Sequence, residues 1–345
     1  MGTKTTCKTK EMSVTQKHVL FLIALGAIFF FPFLGNVHLF DWDEINFAES
    51  AREMIETNDY FRVQINYEPF WEKPPFFFWL QVVSMKIFGI NEFAARFPNA
   101  LLGIISLVTI YFIGKKLISD KFGLIWSMVY FASFLPHMYF KSGIIDPFFN
   151  FFIFLSLFFL ILTIEKPTTR KTNALISGIF IGLAIITKGP VGLLLLVLTL
   201  IVYLIAKKGK AKIKPITVII FFFSSLGVTF LWFGYETITN SPWFILEFIH
   251  YQIELLTEPV AGHQQPFYYH FVVVLLGCFP MSILAIPMFF KKQPNIPYNL
   301  LLWMKILFWV VMILFTIVET KIVHYSSMSY LPLSFLSAIY LYFFL

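Results

Sequence analysis

Charge is scarce in this chain. Only 13% of its 345 residues are Asp, Glu, Lys or Arg, where a soluble domain carries roughly 25%. Apolar residues take their place: 58% are hydrophobic and 45 are Phe, in runs such as Phe76-Phe77-Phe78 and Phe221-Phe222-Phe223. That excludes an ordinary soluble enzyme and indicates a polytopic membrane protein. Cysteine is rarer still, with Cys7 in a polar tail and Cys278 in an apolar run, so no disulfide framework is expected. No repeat of fixed period and no low-complexity linker is visible. No small-residue cleavage site follows Pro32-Phe33-Leu34, so the first apolar segment reads as a span and not as a signal peptide. One membrane domain over 1–345 is the expected organisation.

A membrane-crossing helix needs ~20 mainly apolar residues. Ten segments are expected: about 18–37, 97–115, 122–140, 147–165, 173–187, 190–206, 215–234, 268–290, 300–318 and 325–345. The basic clusters fall on alternate loops, which by the positive-inside rule are cytoplasmic. Those loops and the N-terminal tail hold 18 of the 26 basic residues and only three of the 19 acids, Glu11, Asp120 and Glu165. The net charge of +7 is thereby placed against a membrane surface and does not point to nucleic acid. The run 173–206 must turn at Thr187-Lys188-Gly189-Pro190, which puts Lys188 outside. The chain ends in an apolar run, Phe343-Phe344-Leu345, so no soluble C-terminal domain is expected. The fold class is all-α and polytopic, with about ten transmembrane helices.

The first outer loop, 38–96, is the longest polar region. Residues 44–57 place Ile45, Ala48, Arg52 and Ile55 on one helical face, which predicts an amphipathic helix along the membrane surface, with Asp43 near its N-cap. Residues 75–88 predict a second, more apolar helix that starts at Pro74-Pro75.

The outer face also collects the ionisable residues. Asp41, Asp43 and Glu44 cluster around Trp42 at the bilayer edge, where a partly shielded carboxylate suits a general base and helix capping is the simpler alternative. Glu72-Lys73 stands before two prolines, and Lys73 is suited to hold a phosphate as a point charge. Asp146 precedes Pro147 as a helix cap would, yet shares its surface with His137 and Lys141. His250 and His263 flank a polar loop, and with Glu72 they form a candidate site for zinc or magnesium. The last outer loop carries Glu319, Lys321, His324 and Tyr325; Lys188 and Lys321 are candidates to meet a lipid phosphate there.

The order of these motifs resembles the GT-C glycosyltransferases that use polyprenyl-phosphate sugars, in particular the aminoarabinose (lipid A) transferases and protein O-mannosyltransferases. The matching text is Trp42-Asp43-Glu44 with Phe47 to Met54, Phe70-Trp71-Glu72-Lys73-Pro74-Pro75, Asp146-Pro147 and Thr187-Lys188-Gly189-Pro190. It continues through His263 with Pro266-Phe267-Tyr268-Tyr269 and Lys321 to Tyr325. The resemblance implies a base or acceptor-orienting role for Asp43, a second acid at Asp146, a metal ligand at Glu72 and a phosphate contact at Lys73. It also implies metal-binding histidines at His250 and His263. One departure stands out: where the family has an Arg after the first His, this chain reads Gln252-Ile253-Glu254-Leu255-Leu256.

The sequence therefore predicts an inverting membrane glycosyltransferase at the outer face of a bacterial inner membrane. Catalytic candidates are Asp43, Glu44 and Asp146, and donor-phosphate candidates are Lys73, Lys188, Lys321 and Tyr325. The expected partners are a polyprenyl-phosphate sugar and an envelope lipid, glycan or protein acceptor. The rival from another class is a lipid or solute transporter, which would concentrate ionisable residues at the bilayer midplane. Here the expected spans are nearly free of charge.

Overall fold

The computed structural model describes residues 12–40, 42–70, 72–208, 213–257, 264–291 and 294–345. Helices dominate: α1 (Val14–Phe30), α2 (Asp43–Thr57), α3 (Phe76–Phe88), α4 (Glu92–Leu117), α5 (Asp120–Phe131), α6 (Phe134–Tyr139), α7 (Asp146–Glu165) and α8 (Arg170–Lys188). They continue as α9 (Val191–Ala206), α10 (Pro215–Asn240), α11 (Trp243–Thr257), α12 (Tyr269–Gly277), α13 (Met281–Phe290), α14 (Leu300–Ile317) and α15 (Tyr330–Phe344). Among the described residues the sheet is one antiparallel hairpin, Gln64–Ile65 against Glu68–Pro69. A 3₁₀ helix over Val323–Ser329 leads into α15.

Each of the ten expected segments has a helical counterpart, but not each is a whole span. Among the described residues six helices are long and apolar enough to cross a membrane, and a seventh is gained if α12 and α13, bent by 113°, count as one. The helices α1 and α9 have 17 and 16 residues. The segment expected over 122–140 is divided into α5 and α6, broken at Ala132-Ser133.

The helix ends sort as the charges anticipate. At one end Tyr203 Oη donates to Glu165 at 2.6 Å, Lys207 Nζ to Asn299 at 2.7 Å, and Asn299 Nδ2 to Glu165 at 3.1 Å. These residues lie at the end of α7, the end of α9 and the start of α14. Asp120 likewise ties α5 to α4 and α1 through Lys115 at 3.0 Å, Tyr111 Oη at 2.6 Å and Thr15 Oγ1 at 3.0 Å. Tyr111 and Lys115, in that order, hold the Asp120 carboxyl down at about 2. At the opposite end the start of α7 meets the end of α8.

Small residues set one of the closest helix contacts. A Cβ on Gly178 would lie 1.9 Å from Ser224 Oγ, and one on Gly182 would lie 2.7 Å from Val228 Cβ, so α8 and α10 pack through a glycine pair four residues apart.

The outer platform forms with a different buried face from the one expected. α2 buries Phe47, Ala48, Ala51 and Met54, whereas Ile45 is exposed. The cause is α3: Phe47 meets Phe77 and Phe78 with ring centroids 6.2 and 5.6 Å apart. Glu53 is also buried and accepts from Tyr67 N at 2.9 Å. Arg52 pairs instead with Glu49 and Glu56 along the solvent side.

Topology follows from this sorting. In a chain whose Cys7 and Cys278 are replaced, a cysteine at 68 is expected to react with an impermeant reagent in intact cells, and one at 208 only after permeabilisation. The reverse pattern would contradict the arrangement.

Candidate active site

The site begins with two side chains on α4 that face the loops on either side of it. Arg96 is 3% exposed and forms a bidentate pair with Glu44, both N–O distances being 2.8 Å. Its remaining N–H groups donate to the carbonyls of Leu34 and Val37, at 2.6 and 2.7 Å, and of His38, at 2.9 Å. Glu44 also accepts from Phe40 N at 2.7 Å and from Gly143 N. Three residues on, Asn99 Nδ2 donates to the carbonyls of Ser142 and Ile144. The segments before Asp43 and before Asp146 are thus both pinned to α4.

Glu44, a catalytic candidate in the sequence, is turned into this anchor and not into the cavity. It is 1% exposed and its oxygens are occupied by Arg96 and two main-chain amides. Arg96 thereby neutralises one of the neighbouring acids. Asp43, next to it, takes the other direction and lines a cavity of about 310 Å³. Nor is Asp43 the N-cap: Trp42 holds that place, with φ of 67° and no side-chain cap. Asp41 and Trp71 lie outside the described residues.

Asp43, Glu72, Lys73, Asp146, Lys188 and Tyr325 line this one cavity, from five separate parts of the chain. Asp146 and Lys188 are an ion pair at 2.6 Å, with side chains 4% and 12% exposed. Gly189, at φ +100°, ends α8, and a Cβ there would stand 2.7 Å from the Phe248 ring. That glycine lets the chain turn immediately after Lys188. Lys73 lies 3.4 Å from Glu72 and 5.3 Å from the centre of the Tyr251 ring, while Lys188 lies 5.2 Å from the Tyr325 ring. Much of the rest of the wall is apolar, including Phe149, Val191, Leu194, Leu195, Leu314 and Phe315.

Besides Glu44, two expected residues do not reach it. Lys321 is buried elsewhere and donates to the Val318 carbonyl at 2.7 Å. Thr320 bridges to Gln264 in extended conformation, so 320 and 322 face the cavity and 321 alternates away. His250 is exposed, because on α11 it is Tyr251 that turns inward. Tyr251 Oη donates to Glu72 Oε2 at 2.8 Å, and burial followed by the Glu72 charge pushes its phenol above the ordinary range. Glu72 and His250 are not brought together, and His263 lies outside the described residues. Among the described residues no three His, Cys, Asp or Glu side chains form a metal-binding group.

Two residues were missed. Tyr251 gives no sequence signal beyond its position beside His250. His324 stands in the Lys321–Tyr325 motif, yet only the fold reveals its Nε2 3.5 Å from Asp43 and 3.9 Å from Asp146.

A profile of the family described as dolichyl-phosphate-mannose-protein mannosyltransferase matches residues 72–233. An undecaprenyl phosphate-alpha-4-amino-4-deoxy-L-arabinose arabinosyl transferase of Wigglesworthia glossinidia brevipalpis is 29% identical over 96% of this chain and 60% of its own length. An uncharacterized Aquifex aeolicus protein is 30% identical over 94% of this chain and 74% of its own. The chain belongs to the GT-C glycosyltransferase family. The crystal structure of ArnT from Cupriavidus metallidurans bound to undecaprenyl phosphate superposes with a TM-score of 0.85 at 22% identity, over 96% of this chain and 61% of that one, which establishes the fold. This GT-C chain spans about 60% of the length of the arabinosyl transferase it matches.

The Arg96 anchor has a measurable consequence. Arg96→Met leaves Glu44 buried without its partner, a loss that costs about 3–5 kcal/mol in such pairs. A strongly lowered thermal midpoint in detergent is expected, partly recovered by Glu44→Gln in the same chain. A wild-type midpoint for Arg96→Met would contradict the anchor.

Proposed function

We propose that this GT-C chain transfers a sugar from a polyprenyl-phosphate donor to an extracytoplasmic acceptor, at the outer face of a bacterial inner membrane. The observation that carries the reading is the convergence of Lys73, Lys188 and Tyr325 with Asp43 on one cavity that is otherwise lined largely by apolar side chains. A polyprenyl phosphate has the matching halves, an anionic head and an isoprenoid tail. The named relatives support the donor class, one by its arabinosyl transferase name and the other by its bound undecaprenyl phosphate. The acceptor is an envelope lipid, glycan or protein.

In the proposed reaction the acceptor oxygen attacks the anomeric carbon opposite the phosphate. A new C–O bond forms as the bond to the phosphate oxygen breaks, and its electron pair leaves with the polyprenyl phosphate. In-line displacement inverts the centre. Asp43, with a side chain 30% exposed, orients the acceptor hydroxyl and takes its proton. Lys73 and Lys188 neutralise the leaving phosphate in a cavity shielded from bulk water, where charge is stabilised more strongly than in solution. Lys188 has three N–H groups, so it contacts phosphate without abandoning Asp146. Tyr251 keeps its proton and holds Glu72, which in turn places Lys73. Nothing in the charge distribution favours transport, since the ionisable residues of the cavity gather at one end of the bundle and the other charged clusters lie at its opposite end.

Lys73 tests the donor half. A charged, desolvated hydrogen bond contributes about 1.5–3 kcal/mol, so Lys73→Ala is expected to weaken undecaprenyl phosphate binding about tenfold to 150-fold. Unchanged affinity would remove the role.

Asp43→Asn tests the chemistry. It keeps the shape and removes the proton-accepting charge, so turnover should fall ~10²–10⁴-fold while donor binding survives. If Asp43 serves only the start of α2, Asn is nearly as good and the variant is silent. Wild-type turnover at matched protein levels would refute the assignment.

A further inference from the structure

One chain of hydrogen bonds beside the cavity has no part in the roles above. Asn150 Nδ2, itself in the cavity wall, donates to Ser327 Oγ at 2.7 Å, and Ser327 Oγ donates to the His324 carbonyl at 2.5 Å. Asn150 lies one turn along α7 from Asp146. The same face of α7 therefore places a carboxylate and braces the backbone of the imidazole opposite it. The His324 ring is largely buried, and its Nε2 is the atom that faces Asp43 and Asp146.

Two carboxylates converging on one ring nitrogen require that nitrogen to bear hydrogen, because a lone pair would meet negative charge twice. Asp146 already has Lys188 at 2.6 Å. The interaction that His324 adds is therefore felt chiefly at Asp43. Rotation of the Asp43 carboxyl would lose that interaction, so the proposed base is held with one oxygen toward His324 and the other free for the acceptor.

We infer that His324 is a positioning residue: an Nε2–H held between Asp43 and Asp146 fixes the rotamer and the negative charge of Asp43. The inference rests on the transferase reading and deepens it by naming what orients the base. The charged groups that act on the ring are Asp43 from α2, Asp146 from α7, Lys188 from the end of α8 and Lys73 from the first outer loop. The other imidazole nearby is His270 of α12, which His324 influences in turn. A proton carrier would need a lone pair at Nε2 as well as a hydrogen; a positioning residue needs only the hydrogen. Gln separates these, because its amide nitrogen reaches the place of Nε2 and donates without titrating.

The test compares the full-length chain with His324→Gln and His324→Leu across pH, once transfer from an undecaprenyl-phosphate sugar has been established for the wild type. His324→Leu is expected to lower kcat about 10²-fold and leave KM for the donor unchanged, since only the orientation of Asp43 is lost. His324→Gln is expected to return kcat to within about fivefold of wild type. Wild-type kcat in His324→Leu, or equal losses in Gln and Leu, would overturn the inference. A second readout needs no turnover: ¹⁵N NMR of histidine-labelled protein, assigned by difference against His324→Gln, should show the Nε2–H tautomer at neutral pH. The Nδ1–H tautomer would overturn the placement. If the wild type transfers no sugar the function reading fails, and the tautomer still decides the geometry.

Discussion

The outer face of this protein depends on one buried ion pair. Taking Glu44 and Arg96 out of water costs several kcal/mol per ion, and such a pair is tolerated only when its other polar atoms are satisfied. Here Arg96 also collects the carbonyls of Leu34, Val37 and His38, and Glu44 collects the amides of Phe40 and Gly143. One knot therefore joins the end of the first outer turn, the start of α2, the body of α4 and the loop ahead of α7. Asp43 is the next residue along, so the carboxylate that holds the structure determines where the carboxylate proposed for chemistry stands. Asn99 extends the same control to the loop before Asp146. α4 is the scaffold and the loops carry the site.

The cavity is electrostatically poised. Three carboxylates, Asp43, Glu72 and Asp146, face two lysines, Lys73 and Lys188, with His324 between two of the acids. Each lysine is held by a carboxylate, at 3.4 Å and 2.6 Å, and each lies near an aromatic ring, Tyr251 or Tyr325. The cations are thus ordered before any ligand arrives, which reduces the entropy lost when a phosphate is bound. The neighbouring apolar wall lowers the local dielectric and strengthens every charge contact within the cavity. An amphiphile with an anionic head fits both features at once.

Much of this was legible in the sequence, for reasons that differ by residue. Alternating basic loops and apolar length placed Asp43, Glu72, Lys73, Asp146 and Lys188 on one side, and the fold brings these five to one cavity. Parity errors were what misled elsewhere. Lys321 faces away because an extended segment alternates sides at each residue, and His250 faces out because Tyr251 occupies the inward direction on α11. Glu44 could not be separated from Asp43 without knowing that Arg96, 52 residues away, would reach it. The buried face of α2 was misassigned for the same kind of reason: Phe77 and Phe78 of α3 select it, and no periodicity within α2 encodes them. The broken segments, α5 with α6 and α12 with α13, read as whole spans because hydropathy is blind to bends.

The central claim is that a lipid phosphate is held between Lys73 and Lys188 at the outer end of the bundle. An experimental structure of this chain with undecaprenyl phosphate tests it most directly. The account predicts phosphate oxygens within hydrogen-bonding distance of both lysine Nζ atoms and the isoprenoid chain along Phe149, Leu194 and Phe315. A phosphate bound at the opposite end, near Lys207 and Asn299, would contradict it.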